Sequence, residues 1–264
     1  IQPETWEAIN QMVVLKANEL GIERGTKVRT DCTVVESNIH HPTDSSLLWD
    51  CVRVLVRIMG KAKDEFGFDF TDHSRRAKRR WMKISMAKSS EQRKPLYVDL
   101  LKVTDKTIHH AQRVADQLTS VVPNSIVAVV LIARLISELQ QYLALANQVV
   151  SQAERRVLRG ESVPASEKIV SIFEPHTDII VKDHREAEYG HKICLSTGAS
   201  GLVTDLVVEE GNPADCTLAV RMIERLKSLF GKAPRQASFD GGFASRANLA
   251  EIKALGVEDV AFRR

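Results

Sequence analysis

Between positions 44 and 160 the sequence holds very little glycine and only two prolines, Pro95 and Pro123. Glycine and proline are the strongest local interrupters of regular structure, so a stretch this long with so few of them predicts long helices. The apolar positions agree: Leu47, Leu48, Cys51, Val54, Leu55 and Ile58 recur at helical spacing. Ser45 and Ser46 stand where an N-cap is expected. Similar patterns run through 96–118 and 126–158. The reading is an α-helical block of roughly four helices, with no internal repeat.

The flanks have a different texture. Residues 3–20 predict a short lead helix whose apolar face is marked by Trp6, Ile9, Met12, Val13 and Leu20. Residues 27–35 alternate in character and are rich in β-branched side chains. They predict a strand with Val28, Thr30, Cys32 and Val34 on one side and Arg29, Asp31, Thr33 and Val35 on the other. Beyond 160, the segments 169–173, 177–181, 191–196 and 202–208 read as short strands. An amphipathic helix over 216–230 ends at Gly231, and a strand over 236–240 runs into Gly241-Gly242. Ser245 caps a further helix that ends at Gly256, and 257–262 is a last strand. Helices and strands alternating after a meander predict an α/β fold, a mixed sheet flanked by helices, with the helical block inserted after its first strand.

Length and composition bound the function. The 264 residues suffice for one large or two modest domains. With 44% hydrophobic and 27% charged residues, the chain is neither disordered nor of low complexity. Its 37 Lys+Arg against 34 Asp+Glu leave a net charge of only +3, so any affinity for nucleic acid must be local. Aromatic residues at 5% argue against a stacking platform for single strands. Cys32, Cys51, Cys194 and Cys216 form no CxxC pair, which speaks against structural zinc and a disulfide framework and predicts a reducing cytosol. No secretory signal opens the chain. The most apolar stretch, 126–135, is interrupted by Arg134 and followed by Glu138, short of the roughly 20 apolar residues of a membrane span.

Two carboxylates are the candidates for chemistry. Asp31 lies within a strand, where an Asp is disfavoured and needs a partner, a metal or solvent. Asp240 ends a strand, and the two glycines after it let the chain turn sharply or let a ligand approach the backbone. Each has a plainer account, an edge-strand Asp facing water or an Asx turn. On adjacent strands ~4.8 Å apart, however, the pair would share or bridge divalent metals, which sit ~3.5–4 Å apart in two-metal phosphoryl-transfer sites. Mg²⁺ or Mn²⁺ suits such all-oxygen ligands. The idea requires strands 28–35 and 236–240 to be adjacent and parallel, although 209 positions (240 − 31) separate the carboxylates.

The segment Asp31-Cys32-Thr33-Val34-Val35-Glu36-Ser37-Asn38-Ile39-His40-His41-Pro42-Thr43-Asp44-Ser45-Ser46-Leu47-Leu48 resembles the first-aspartate motif of DDE transposases from bacterial insertion sequences, IS-five-like or IS-NCY-like. Tyr189-Gly190-His191-Lys192, followed by Val208-Glu209-Glu210-Gly211-Asn212-Pro213-Ala214-Asp215, resembles their next two strands. Ala237-Ser238-Phe239-Asp240-Gly241-Gly242-Phe243-Ala244-Ser245 resembles the second-aspartate motif. The similarity covers about 28–262, in the right order. It implies an RNase-H-like fold, with Asp31 and Asp240 as catalytic residues and ligands of Mg²⁺ (or Mn²⁺) for hydrolysis and strand transfer at phosphodiester bonds. It further implies double-stranded DNA (element ends and target) as partner, a homodimer on DNA, no membrane, and a nucleoid-associated cytoplasmic location. The chain then divides into 1–43, lead helix and first strand; 44–160, helical insertion; and 161–264, the rest of the RNase-H-like domain without its C-terminal helix.

The third acidic ligand of that class is a Glu on a helix after the last strand. Glu251 and Glu258 do not match it, one lying on the helix before that strand and the other within the strand. The expectation is therefore weak binding of divalent metal and no cleavage or joining of DNA by this chain. The alternative is a catalytically inactive DNA-binding or dimerising remnant, and a third reading is a nuclease of the same fold with no strand transfer.

The basic run 73–83 is expected on a helix. Arg76, Arg79, Arg80 and Lys83 share a face, with Arg75 beside them, suited to phosphate contacts that position DNA rather than read it. Lys192, on a strand beside the presumed site, is a further candidate contact to DNA or to an active-site carboxylate, against the plainer reading of a surface lysine. The adjacent histidines His40-His41 and His109-His110 point apart on regular structure and make poor metal pairs.

Overall fold

A computed structural model describes residues 3–181 and 186–263. In chain order its elements are α1 (Pro3–Glu19), β1 (Lys27–Glu36), α2 (Asp44–Phe66), α3 (Ser74–Met86), α4 (Ser90–Thr119), α5 (Ile126–Ala153), β2 (Asp178–Ile180), β3 (Glu188–Gly198), β4 (Val203–Val208), α6 (Ala219–Phe230), β5 (Gln236–Phe239), α7 (Arg246–Ala254) and β6 (Asp259–Phe262). Two compact units are interleaved along the sequence: Ile1–Ser37 with Asp178–Arg264, and Asn38–Thr177.

The unit Asn38–Thr177 is helical. Its first helix starts two or three residues earlier than the serines suggested, because Thr43 is the N-cap. The Thr43 side chain accepts from the Ser46 N–H at 3.1 Å, and the Ser46 hydroxyl accepts from the Thr43 N–H at 3.1 Å, a reciprocal capping box. The helix ends at Gly67, whose φ of 74° only glycine adopts freely. Leu47, Leu55 and Ile58 of α2 pack with Leu100 and Leu118 of α4 and Leu135 and Leu139 of α5 in one buried cluster. Counted with the π-helical turn Glu154–Leu158 that follows it, the helix Ile126–Leu158 is long and apolar enough to cross a membrane by length and composition, which the shorter stretch 126–135 did not suggest. Leu143, Ala146 and Val149 of this helix lie in the core, whereas Ile126, Val127 and Val130 near its start are exposed.

The segment 169–173 is not a strand. Its backbone is satisfied by a side chain instead: the Gln152 amide accepts from the Ile169 N–H at 2.9 Å and donates to the Ile169 carbonyl at 3.3 Å. Ile169 and Ile172 thereby enter the helical core, so their apolarity serves packing of helices rather than a sheet.

The other unit is a six-stranded mixed sheet with helices, in the order β2-β3-β1-β5-β6, with β4 also paired to β3. One edge of β1 takes β3 antiparallel and the other takes β5 parallel; β6 extends the parallel side. Val28, Ala237 and Phe239 bury one face against Met222, Ile223 and Leu226 of α6 and Ile252 of α7. Helix α1 packs through a different stripe from the one its apolar residues marked. Trp6, Ile9, Met12, Val13 and Leu20 are exposed, while Val14 and Ala17 are buried. Polar anchors decide the rotation: Asn10 donates to the Val203 carbonyl at 2.9 Å, and Glu7 pairs at 3.0 Å with Arg225, which also grips Asp205 at 2.7 Å. Positions 7, 10, 14 and 17 form one helical face.

Candidate functional site

The parallel ladder of β1 and β5 pairs Lys27 with Gln236, Val28 with Ala237, Arg29 with Ser238, and Thr30 with Phe239. Asp31 and Asp240 each follow the last pair of that ladder by one residue, and paired strands run ~4.8 Å apart. The strands required to be adjacent and parallel are so. Alternation places both carboxylates on the face opposite buried Thr30 and Phe239, since Asp240 keeps an extended backbone at φ −70° and ψ 163°. Asp31 lies mid-strand in β1, one residue past the end of its parallel pairing, and Asp240 just past the carboxyl end of β5, where ligands of open α/β sheets gather.

Each carboxylate has local partners. Asp31 accepts from the Cys32 N–H at 2.9 Å and from the Arg29 guanidinium at 3.2 Å. Asp240 accepts from the Gly241 N–H at 2.6 Å and caps a short 3₁₀ turn, so the plainer Asx role is also present. The two glycines answer to close approach. A Cβ at 241 would lie 2.8 Å from the Arg263 carbonyl, and one at 242 would lie 2.8 Å from an Asp215 carboxylate oxygen. Arg29, Ser238, Asp240 and Arg263 help to line a cleft of about 220 Å³ on this side of β5.

Beneath the site, on the other face of β1, Cys32 faces Cys194 directly across the antiparallel ladder. A hydrogen bond with the Cys194 thiol, reinforced by burial, pushes the Cys32 thiol far above the usual range, so it stays protonated. Lys192 is buried in this region, with its ammonium 2.5 Å from Asp215 and 2.5 Å from the Pro213 carbonyl. Its charge is thus occupied inside the protein and it is not a surface lysine.

The basic residues Arg75, Arg76, Arg79, Arg80 and Lys83 lie on α3, in the helical unit. Arg76, Arg79, Arg80 and Lys83 line a groove of about 190 Å³, and Arg75 is exposed nearby. Asp99 of α4 grips both Arg76 and Arg80. Arg76 and then Arg80 hold the Asp99 carboxyl below the usual range.

The donor chemistry of Asp31 and Asp240 fits a hard divalent cation, two carboxylates on one face with room for water to complete the shell. Among the described residues no group of three or more His, Cys, Asp and Glu is placed to hold a metal. His40 lies 3.5 Å from Asp50, and His109 bonds the Asp105 carbonyl at 2.7 Å, each within the helical unit.

The residues that sequence reasoning missed are Arg29, Asp99 and Asp215. Arg29 had a signal, because strand alternation puts it on the same side as Asp31. Asp99 and Asp215 had none, since their partners are distant in sequence. No protein family, curated protein or solved structure compared with the chain matches it.

Proposed function

We propose that this chain is the catalytic region of a DDE-type transposase of a bacterial insertion sequence, a class whose chemistry is metal-dependent phosphodiester hydrolysis and strand transfer at element ends. The observation that carries the reading is the register of β1 and β5, whose last pair, Thr30 with Phe239, comes immediately before Asp31 and Asp240. A sheet that is antiparallel on one side of β1 and parallel on the other supports the RNase-H-like assignment, with the helical unit as an insertion. Asp31 and Asp240 would hold Mg²⁺ or Mn²⁺. Such an ion, when bound, activates the attacking water or 3′-hydroxyl and stabilises the leaving oxygen. The chain's own part is to fix the two carboxylates on rigid strands and to present α3 to the phosphate backbone of double-stranded DNA. A homodimer on DNA in the nucleoid-associated cytoplasm belongs to the same reading.

A second reading, a DNA-binding remnant without activity, is favoured because, among the described residues, no group of three or more His, Cys, Asp and Glu is placed to hold a metal. One experiment addresses both. The chain is titrated with Mn²⁺, and duplex DNA is incubated with it in the same metal. The transposase reading expects Mn²⁺ binding that disappears in Asp31→Asn and Asp240→Asn. Duplex binding without any carboxylate-dependent metal binding would favour the remnant, and neither would sink both.

A further inference from the structure

Arg29 has two places to put its charge. In the structure its guanidinium lies 3.2 Å from Asp31, two residues along the same face of β1. The same side chain also lines the cleft that Ser238, Asp240 and Arg263 share beside the second carboxylate. The contact with Asp31 is open to solvent, with the two side chains 59% and 42% exposed. Exposed pairs of this kind bias an equilibrium only by about two- to fivefold, so a stronger competitor displaces them.

We propose that Arg29 is an exchangeable counter-ion for Asp31, which yields to a divalent cation and then positions a phosphodiester in the adjacent cleft. The inference rests on the metal-centre reading above and adds a residue to it. Without metal, two carboxylates facing each other repel, and the guanidinium cancels one of the charges. A cation of charge +2 on Asp31 both removes the acceptor and repels Arg29. The cleft then offers a second seat, where Arg29 and Arg263 supply planar forks of N–H donors matched to phosphate oxygens. Arg29 is a positioning residue here and touches no reacting atom.

The test counts free Mn²⁺ by its electron paramagnetic resonance signal during titration of the wild-type chain, Arg29→Gln, Arg29→Lys and Asp31→Asn. Arg29 is more than half exposed, so these changes leave the fold intact. Arg29→Gln should bind Mn²⁺ about two- to fivefold more tightly, Arg29→Lys should stay near wild type, and Asp31→Asn should lose binding. In parallel, a short DNA duplex followed by fluorescence anisotropy should bind the wild-type chain more tightly when Mn²⁺ is added, and Arg29→Gln should lose that gain despite holding more metal. Unchanged or weaker Mn²⁺ binding in Arg29→Gln, with binding still lost in Asp31→Asn, overturns the counter-ion role and leaves the metal centre standing. Mn²⁺ binding indifferent to Asp31→Asn overturns the metal centre itself. A retained duplex gain in Arg29→Gln overturns the phosphate role.

Discussion

The Lys192 ammonium and the Asp215 carboxylate lie 2.5 Å apart, with the lysine only 3% exposed, and Asp215 in turn abuts Gly242 in the turn that carries Asp240. A buried charge that loses its partner is strongly destabilising, by about 3–5 kcal/mol at full burial. Asp215 is partly open to solvent, so Asp215→Ala should cost about 2–3 kcal/mol, read as a lower urea midpoint. Lys192→Met, which removes the buried charge itself, should cost less. Equal losses in the two variants would show that the pair is not what stabilises this turn.

Acid should weaken the sheet unit through Glu23. This side chain is 2% exposed and accepts from the Arg24, Gly25 and Ser200 N–H groups and from the Ser200 hydroxyl. Burial raises its carboxyl, but the Ser200, Gly25 and Arg24 hydrogen bonds outweigh it and bring the folded value below the ordinary 4.5. A lowered folded pKa means the stabilisation is fully present above the unfolded value and is lost as pH falls through the folded one. Glu23→Gln should therefore cost about 1–3 kcal/mol at pH 7. The gap to wild type should close as pH falls below 4.5 and through the lower folded value, in denaturant midpoints measured across pH. A constant gap would refute the assignment.

Asp99 should act as a brake on α3. Because it bridges Arg76 and Arg80, Asp99→Asn removes the one negative charge the two guanidinium groups share. Under the proposed DNA contact, duplex affinity should rise about three- to tenfold at low salt, and the slope of log K against log salt should steepen by about one. Charge reversal at Arg75, Arg79 or Lys83 should do the opposite, to a similar extent on unrelated sequences. Loss confined to one sequence would argue against backbone contacts.

Gly25 should not accept a side chain. Its φ is 61°, and an added Cβ would lie 2.5 Å from the Phe230 ring. Gly25→Ala should cost about 2–4 kcal/mol from backbone strain and overpacking together, seen as a lower thermal midpoint. A neutral effect would mean that Phe230 moves away freely.

What could be read beforehand followed from local periodicity. The alternation in 27–35 placed Asp31 and Arg29 on one face, and the scarcity of breakers from 44 onward marked α2 to α5. Errors arose where a distant polar partner overrode the apolar pattern. Gln152 captured Ile169 and kept 169–173 out of the sheet, and Asn10 with Glu7 turned α1 away from its most hydrophobic side. Lys192 looked like any strand lysine because Asp215, 23 positions later (215 − 192), gives no local sign of being its partner. The opposition of Asp31 and Asp240 was legible only through the chemistry that two carboxylates would share.

The position of β1 between β3 and β5 bears on how the chain is made. Both neighbours of this strand lie far downstream, β3 starting at Glu188 and β5 at Gln236. The 151 residues between Glu36 and Glu188 (188 − 36 − 1) must leave the ribosome before β3 begins to emerge, roughly 8–30 s at ordinary translation rates. The contiguous helical unit Asn38–Thr177 is complete well before β5 emerges and can fold by itself during synthesis. Throughout that interval both edges of the nascent β1 carry unpaired N–H and C=O groups, a template on which another nascent chain can pair.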